Sequence, residues 1–144
     1  MTTFAGIAGS SGSTDGTGTD ARFNQPTAIT TDGKNLYVAD TPAHLIRKID
    51  ISTGVVSTYE ASWNEGIQSP GGITTDGQNL YISSRSNHTI LKMAISSGDV
   101  NTLAGTAGSS GSADGTGTSA SFNEPLGLLS MSIQPSGLLY LKMT

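Results

Sequence analysis

Residues 32–40 read DGKNLYVAD and residues 76–84 read DGQNLYISS, so one turn-and-strand sequence returns 44 positions later. The frame extends beyond that match: Pro26 pairs with Pro70, His44 with His88 and Thr58 with Thr102, all at the same spacing. A second match links Ala5–Pro26 to Ala104–Pro125 at an offset of 99, which is one unit of 44 plus one of 55, with the extra 11 residues in a single loop. Such a chain is a repeat protein. Units of this size bury their apolar faces only by stacking on their neighbours.

Each full unit holds four short apolar runs that read as strands. They are 27–31, 36–39, 45–51 and 55–59 in the first unit, then 72–75, 80–83, 89–95 and 100–103 in the second. Asp32-Gly33, Asp76-Gly77, Thr53-Gly54 and Gly98-Asp99 separate them with residues that tolerate positive φ, as hairpin loops require. No window sustains a 3.6-residue period, and Gly or Pro interrupts every stretch of about a dozen residues, which excludes helix. Four antiparallel strands per unit of this length is the signature of a propeller blade. The expected fold is all-β, a β-propeller of four-stranded blades in one partial domain. Residues 1–5 form a fourth-type strand, 6–59 blade one with its long loop, 60–104 blade two and 105–144 an incomplete blade three. In that last unit the strands are 127–133 and 138–143, in a register left open because Pro125 to Tyr140 spans 15 positions where Pro26 to Tyr37 spans 11.

The residues also resemble the NHL-repeat propellers, named after an Asn-His-Leu triplet before the third strand. The triplet stands here as Asn87-His88-Thr89 and as Ala43-His44-Leu45. The accompanying pattern, Pro-x-x-Ile, then Asp-Gly-x-Asn-Leu-Tyr-Val-Ala-Asp, then Ile-Arg-Lys-Ile-Asp, is nearly complete from Pro26 to Asp50. It decays in the second unit, where Ser83-Ser84 replace Ala39-Asp40 and Leu91-Lys92-Met93 replace Arg47-Lys48-Ile49. The resemblance implies a six-bladed ring, so this chain amounts to half a propeller. Exposed blade faces and strand edges then predict a homodimer that closes the ring, with Thr2–Ala5 of one copy completing the third blade of the other.

Composition narrows the function classes. The net charge is −4, the pI is near 4.8, and the seven basic residues are scattered, with only Arg47 and Lys48 adjacent, which argues against a nucleic-acid partner. The absence of cysteine removes disulfides and thiolate zinc sites. No basic or apolar leader segment opens the sequence, and no apolar run approaches the ~18 residues of a membrane span. No membrane partner is expected, and compartment is not legible.

Candidate chemistry is sparse. His44 and His88 recur at one position of successive units, which assigns them a repeated structural task; a zinc site needs three or four ligands. Asp15, Asp20 and Asp114 lack the spacing and the terminal Glu of a calcium loop, and read as turn formers. Phe23 and Phe122 are expected to plug blade interfaces, and Tyr37 and Tyr81 to hold repeat positions. No cofactor is expected. The binding candidates are Trp63, an isolated loop aromatic of the kind that anchors partners, its neighbours Asn64 and Glu65, and the loop residues Arg22, Asp40 and Arg85. The long loops 6–25 and 106–124, the short loop 60–69 and the turns 40–43 and 84–87 are all expected on one face. The starts of the innermost strands carry Thr27, Gly71 and Leu126, not a cluster of titratable groups. The leading reading is a non-catalytic module that binds a protein, peptide or glycan on the long-loop face. The alternatives are a metal-dependent or other enzymatic site in the central channel, and a truncated fragment whose main property is self-assembly.

Overall fold

The structure, a computed structural model, describes residues 1–59, 66–133 and 139–143, the last two strands by their backbone. Its strands in chain order are β1 (Gly16–Thr17), β2 (Pro26–Thr31), β3 (Asn35–Asp40), β4 (Leu45–Asp50), β5 (Val55–Tyr59), β6 (Pro70–Thr75), β7 (Asn79–Ser84), β8 (Thr89–Ala94), β9 (Val100–Ala104), β10 (Leu128–Ile133) and β11 (Leu139–Met143). They form three antiparallel sheets, ordered β1-β5-β4-β3-β2, β6-β7-β8-β9 and β10-β11. Among the described residues there is no α-helix.

The turn opening each second strand explains why its sequence repeats. Asp32 Oδ1 accepts from the backbone N–H groups of Lys34 (2.9 Å) and Asn35 (2.7 Å), and Oδ2 accepts from the Tyr37 hydroxyl (2.7 Å). Asp76 takes the same bonds from Gln78, Asn79 and Tyr81. The threonine before each aspartate closes the turn, its hydroxyl donating to Asn35 O or Asn79 O. With the side-chain amide of Asn35 or Asn79 also donating, one carboxylate thus satisfies four donors at a point where the backbone has no ladder partner.

Pairing settles the third unit. Ile133 faces Leu139 and Ser132 faces Tyr140, as Thr31 faces Leu36 and Thr30 faces Tyr37, and each pair of strands carries an irregularity at its far end. The first strand therefore starts at Leu128, one residue inside the expected 127–133. β10 lies beside β6 as β6 lies beside β2.

Alternation along the strands gives each blade two apolar faces. Tyr37, Ala39 and Ile46 of blade one interlock with Ile73, Leu80, Ile82, Leu91, Met93 and Val100 of blade two, and this seam is the main core. Tyr59 spans it, its hydroxyl donating to Ile95 O (3.1 Å). The opposite face of blade one, with Val38, Ile49 and Val56, is covered by Ala5, Ala21 and Phe23 from the segment ahead of β2. That cover is incomplete. An open groove of about 500 Å³ runs between Phe4 and Ile29, floored by Leu36, Val38 and Ile49. Ile29 is 60% exposed, whereas Ile73, one repeat later, is 3% exposed beneath blade one.

Thr2–Ala5, expected to pair with a second copy, forms no strand within the single chain. One expectation changes. The long loop 6–25 is not confined to one face: Gly16 and Thr17 pair with Val56 and Val55, and Gly18 N donates to Gly54 O (2.9 Å), so the loop descends the outer edge of its blade as a fifth strand. The free N–H and C=O groups along β5 favour that path, since an unpaired edge strand recruits any extended backbone within reach.

Candidate functional site

Among the described residues, the densest polar arrangement surrounds Arg47, at the centre of β4. Its Nη1 donates to Arg22 O (2.7 Å) and Asp40 Oδ2 (3.3 Å), and its Nη2 to Thr14 O (3.0 Å) and Asp15 Oδ1 (2.9 Å). Phe23 stacks on the guanidinium at 5.0 Å, and Thr58 donates its hydroxyl to Asp15. Neither Arg47 nor Asp40 has any exposed side-chain surface. Burial pushes the Asp40 carboxyl up, against the downward pull of the Asn24 N–H and of the Arg47 guanidinium. The planar guanidinium serves four acceptors at fixed angles, which an ammonium could not match. These bonds close the loop 6–25 over its own blade. Blade two has Leu91 and Ser84 at the two positions, and there Ser84 accepts from Gln68 N and donates to Gly66 O.

A second arrangement repeats at each seam. His44 and His88 adopt left-handed φ values of 58° and 60°. In that pose their Nδ1 atoms accept from Ser69 N (2.9 Å) and Glu124 N (3.1 Å), which belong to the loop entering the next blade. Ser69 and Glu124 are themselves left-handed, at 48° and 50°. Each histidine thus holds the next blade's entry loop in a conformation that non-glycine residues otherwise avoid.

Of the sequence-derived binding candidates, Trp63, Asn64 and Glu65 lie outside the described residues. Asp40, expected at a binding face, is fully buried, because loop 6–25 folds over it and Asn24 N donates to it (2.8 Å). Arg22 is turned into its own loop, donating to Ser10 Oγ and to the carbonyls of Thr19 and Ala21. Arg85 is exposed and pairs with Glu124 (3.1 Å), tying two loops at the surface. Phe23 stacks on Arg47, and Phe122 packs on Tyr81, Ile90 and Ala104. No group of three metal-ligating side chains occurs among the described residues. The Arg47 constellation escaped sequence reasoning, although Asp15, Phe23 and Arg47 all stand in the blade that carries the long loop.

No protein-family model matches the chain. Over 57 residues it is 40% identical to NHL repeat-containing protein 2 of Gallus gallus, a stretch that is 40% of this chain and 8% of that protein. Over that stretch the chain is similar to an NHL-repeat protein. Among solved structures, the chain superposes on a protein of unknown function from Bacteroides thetaiotaomicron VPI-5482 with a TM-score of 0.55. Identity is 25%, covering 65% of this chain and 26% of that one. Virginiamycin B lyase from Staphylococcus aureus superposes with a TM-score of 0.56 at 12% identity, covering 89% of this chain and 44% of that one, a likeness of fold alone. The chain therefore spans less than half the length of each of these three proteins.

Proposed function

We propose that this chain is a non-catalytic NHL-propeller module for binding and scaffolding. It recognises a protein, peptide or glycan on the face carrying its loops, and it associates with a second copy to close a six-bladed ring. The observation carrying the reading is the contrast between Ile29 and Ile73. One position of the repeat is 60% exposed in blade one and 3% exposed in blade two, where a neighbouring blade covers it. The face around Ile29 therefore has the chemistry of a blade seam. A binding role is further supported by the use of the repeated titratable residues: Asp32, Asp76, His44 and His88 each fix a turn or an entry loop. The test is sedimentation at micromolar concentration. A dimer is expected, with Ile29→Asp shifting it to monomer while the β-sheet circular dichroism is kept; a wild-type monomer would refute ring closure.

A further inference from the structure

Two blade seams inside the chain are joined by the same pair of atoms. At each, an imidazole Nδ1 accepts from the backbone N–H that leads into the next blade, Ser69 N for His44 and Glu124 N for His88. An Nδ1 that accepts leaves the ring's one proton on Nε2, so each joint needs a neutral imidazole. A second proton, taken from solvent at Nδ1, turns the acceptor into a donor and sets N–H against N–H. The ties beside it across the first seam hold no group that titrates in mild acid. They are the apolar core, the Tyr59 hydroxyl on Ile95 O and the Thr41 hydroxyl on Pro70 O (2.7 Å). The charged groups that contacts place beside the rings are few. His88 N donates to Arg85 O (3.2 Å), and Arg85 pairs with Glu124 (3.1 Å), a pair neutral as a whole. His44 N donates to Thr41 O (3.0 Å), and its turn follows Asp40, which Asn24 N and Arg47 bind and whose carboxyl burial pushes up. Glu60 and Glu65, ahead of Ser69, lie outside the described residues.

We propose that His44 and His88 are proton-operated latches. At neutral pH they fix the loops entering blades two and three, and in mild acid they release those loops while the blades stay folded. An imidazole ordinarily gains its second proton at about pH 6.5, so the latch bond is present above that range and lost as the pH falls through it. Asp32 keeps its turn until far lower pH, with its carboxyl lowered to about 2, so release and acid unfolding are separate events. At Ser69 the loop stays on its own blade, where Arg85 N donates to Ser69 O and Ser86 N to Gln68 O, both at 3.3 Å. The movement is therefore between blades. At Glu124 the Arg85 pair remains as a second tie, so the joint at His44 opens further. Both loops belong to the face proposed for binding, yet the latches rest neither on that reading nor on ring closure, since each lies within one chain.

The experiment compares amide exchange of the full chain at about pH 7.5 and about pH 5.5 by nuclear magnetic resonance, each rate taken relative to its intrinsic value, and records the ring-nitrogen shifts of both histidines. Expected is an unprotonated Nδ1 at the higher pH. Protection of Ser69 N and Glu124 N should fall about tenfold at the lower one, which is the ratio of protonated to neutral imidazole one unit below its ordinary value. Protection along β3 and β7 should be unchanged. The decisive variant is His44→Asn. Asparagine tolerates left-handed backbone and carries Oδ1 as many bonds from the main chain as Nδ1, so it keeps the acceptor without titrating. It should abolish the step at Ser69 and leave the one at Glu124, and His88→Asn should do the converse. A step at Ser69 that persists in His44→Asn would belong to Asp40 or to the glutamates ahead of the loop, and would overturn the proposal. So would a protonated Nδ1 at the higher pH, unchanged protection at the lower one, or a loss of protection shared by every strand.

Discussion

Arg47 and Asp40 form a 3.3 Å ion pair with no exposed side-chain surface, and the next blade does without it. Removing one buried partner strands the other's charge, at a cost of about 3–5 kcal/mol, whereas replacing both is often nearly neutral. Arg47→Leu alone should therefore destabilise the chain by about 3 kcal/mol. The double change Asp40→Ser, Arg47→Leu, which installs the residues of blade two, should recover more than half of that in urea unfolding. Equal losses in the single and double variants would show that the ion pair carries none of the cost. A second residue-scale consequence concerns acid. Burial pushes the Asp32 carboxyl up, but the bonds from Asn35, Tyr37 and Lys34 outweigh it and lower its pKa from 3.8 to about 2. Asp76 shifts in the same direction, and the Tyr81 hydroxyl that donates to it is pushed up to about 12. A carboxyl with a depressed folded-state pKa stabilises the fold above its unfolded value and loses that contribution as the pH falls through the folded one. Stability should hold down to about pH 4 and decline between about 4 and 2, and Asp32→Asn should flatten that decline. An unchanged acid limb in the variant would contradict the role given to this turn.

The elements joining the blades show how much a single amino-acid sequence reveals. Strands bounded by Asp-Gly turns and apolar alternation were legible to within two residues, because hairpin geometry is local and its residues are few. β1 was not legible: Gly16 and Thr17 lie in a Gly- and Thr-rich stretch without alternation, and become a strand only because β5 offers an edge. The burial of Asp40 was equally hidden, since it depends on a loop arriving from 16 residues upstream. The close of β9 yields a test at this scale. A Cβ on Gly105 would stand 2.6 Å from His88 O at a φ of +86°, whereas one on Gly6, at the same φ, meets only the Phe23 ring at 3.1 Å. Gly105→Ala should cost about 1–3 kcal/mol, through backbone that must shift, and Gly6→Ala clearly less. Amide exchange would localise the difference, with Glu124 N, held by His88, losing protection in the Gly105 variant. Equal effects at the two glycines would mean that the seam yields where the geometry says it cannot.

At the scale of the molecule, the main core lies between blades and not within one, so each sheet depends on its neighbour for stability. A second copy seated on the Ile29 face would add a seam of the same kind. Because association stabilises only the folded state, the melting temperature should then rise with protein concentration, and Ile29→Asp should remove that dependence. A concentration-independent wild-type melt would leave the face without its partner. The six-bladed closure rests on a resemblance, since blade number is a property of the assembled ring and no residue spacing encodes it. What the chain does encode is the joint. The left-handed histidine that receives the next entry loop stands in both full units, 44 positions apart, so the rule for adding a blade is carried by the blade before it. A gene that gained or lost one such stretch in frame would keep every seam chemically valid. Ring size in this architecture is therefore open to change by unequal duplication, without a single new contact having to evolve.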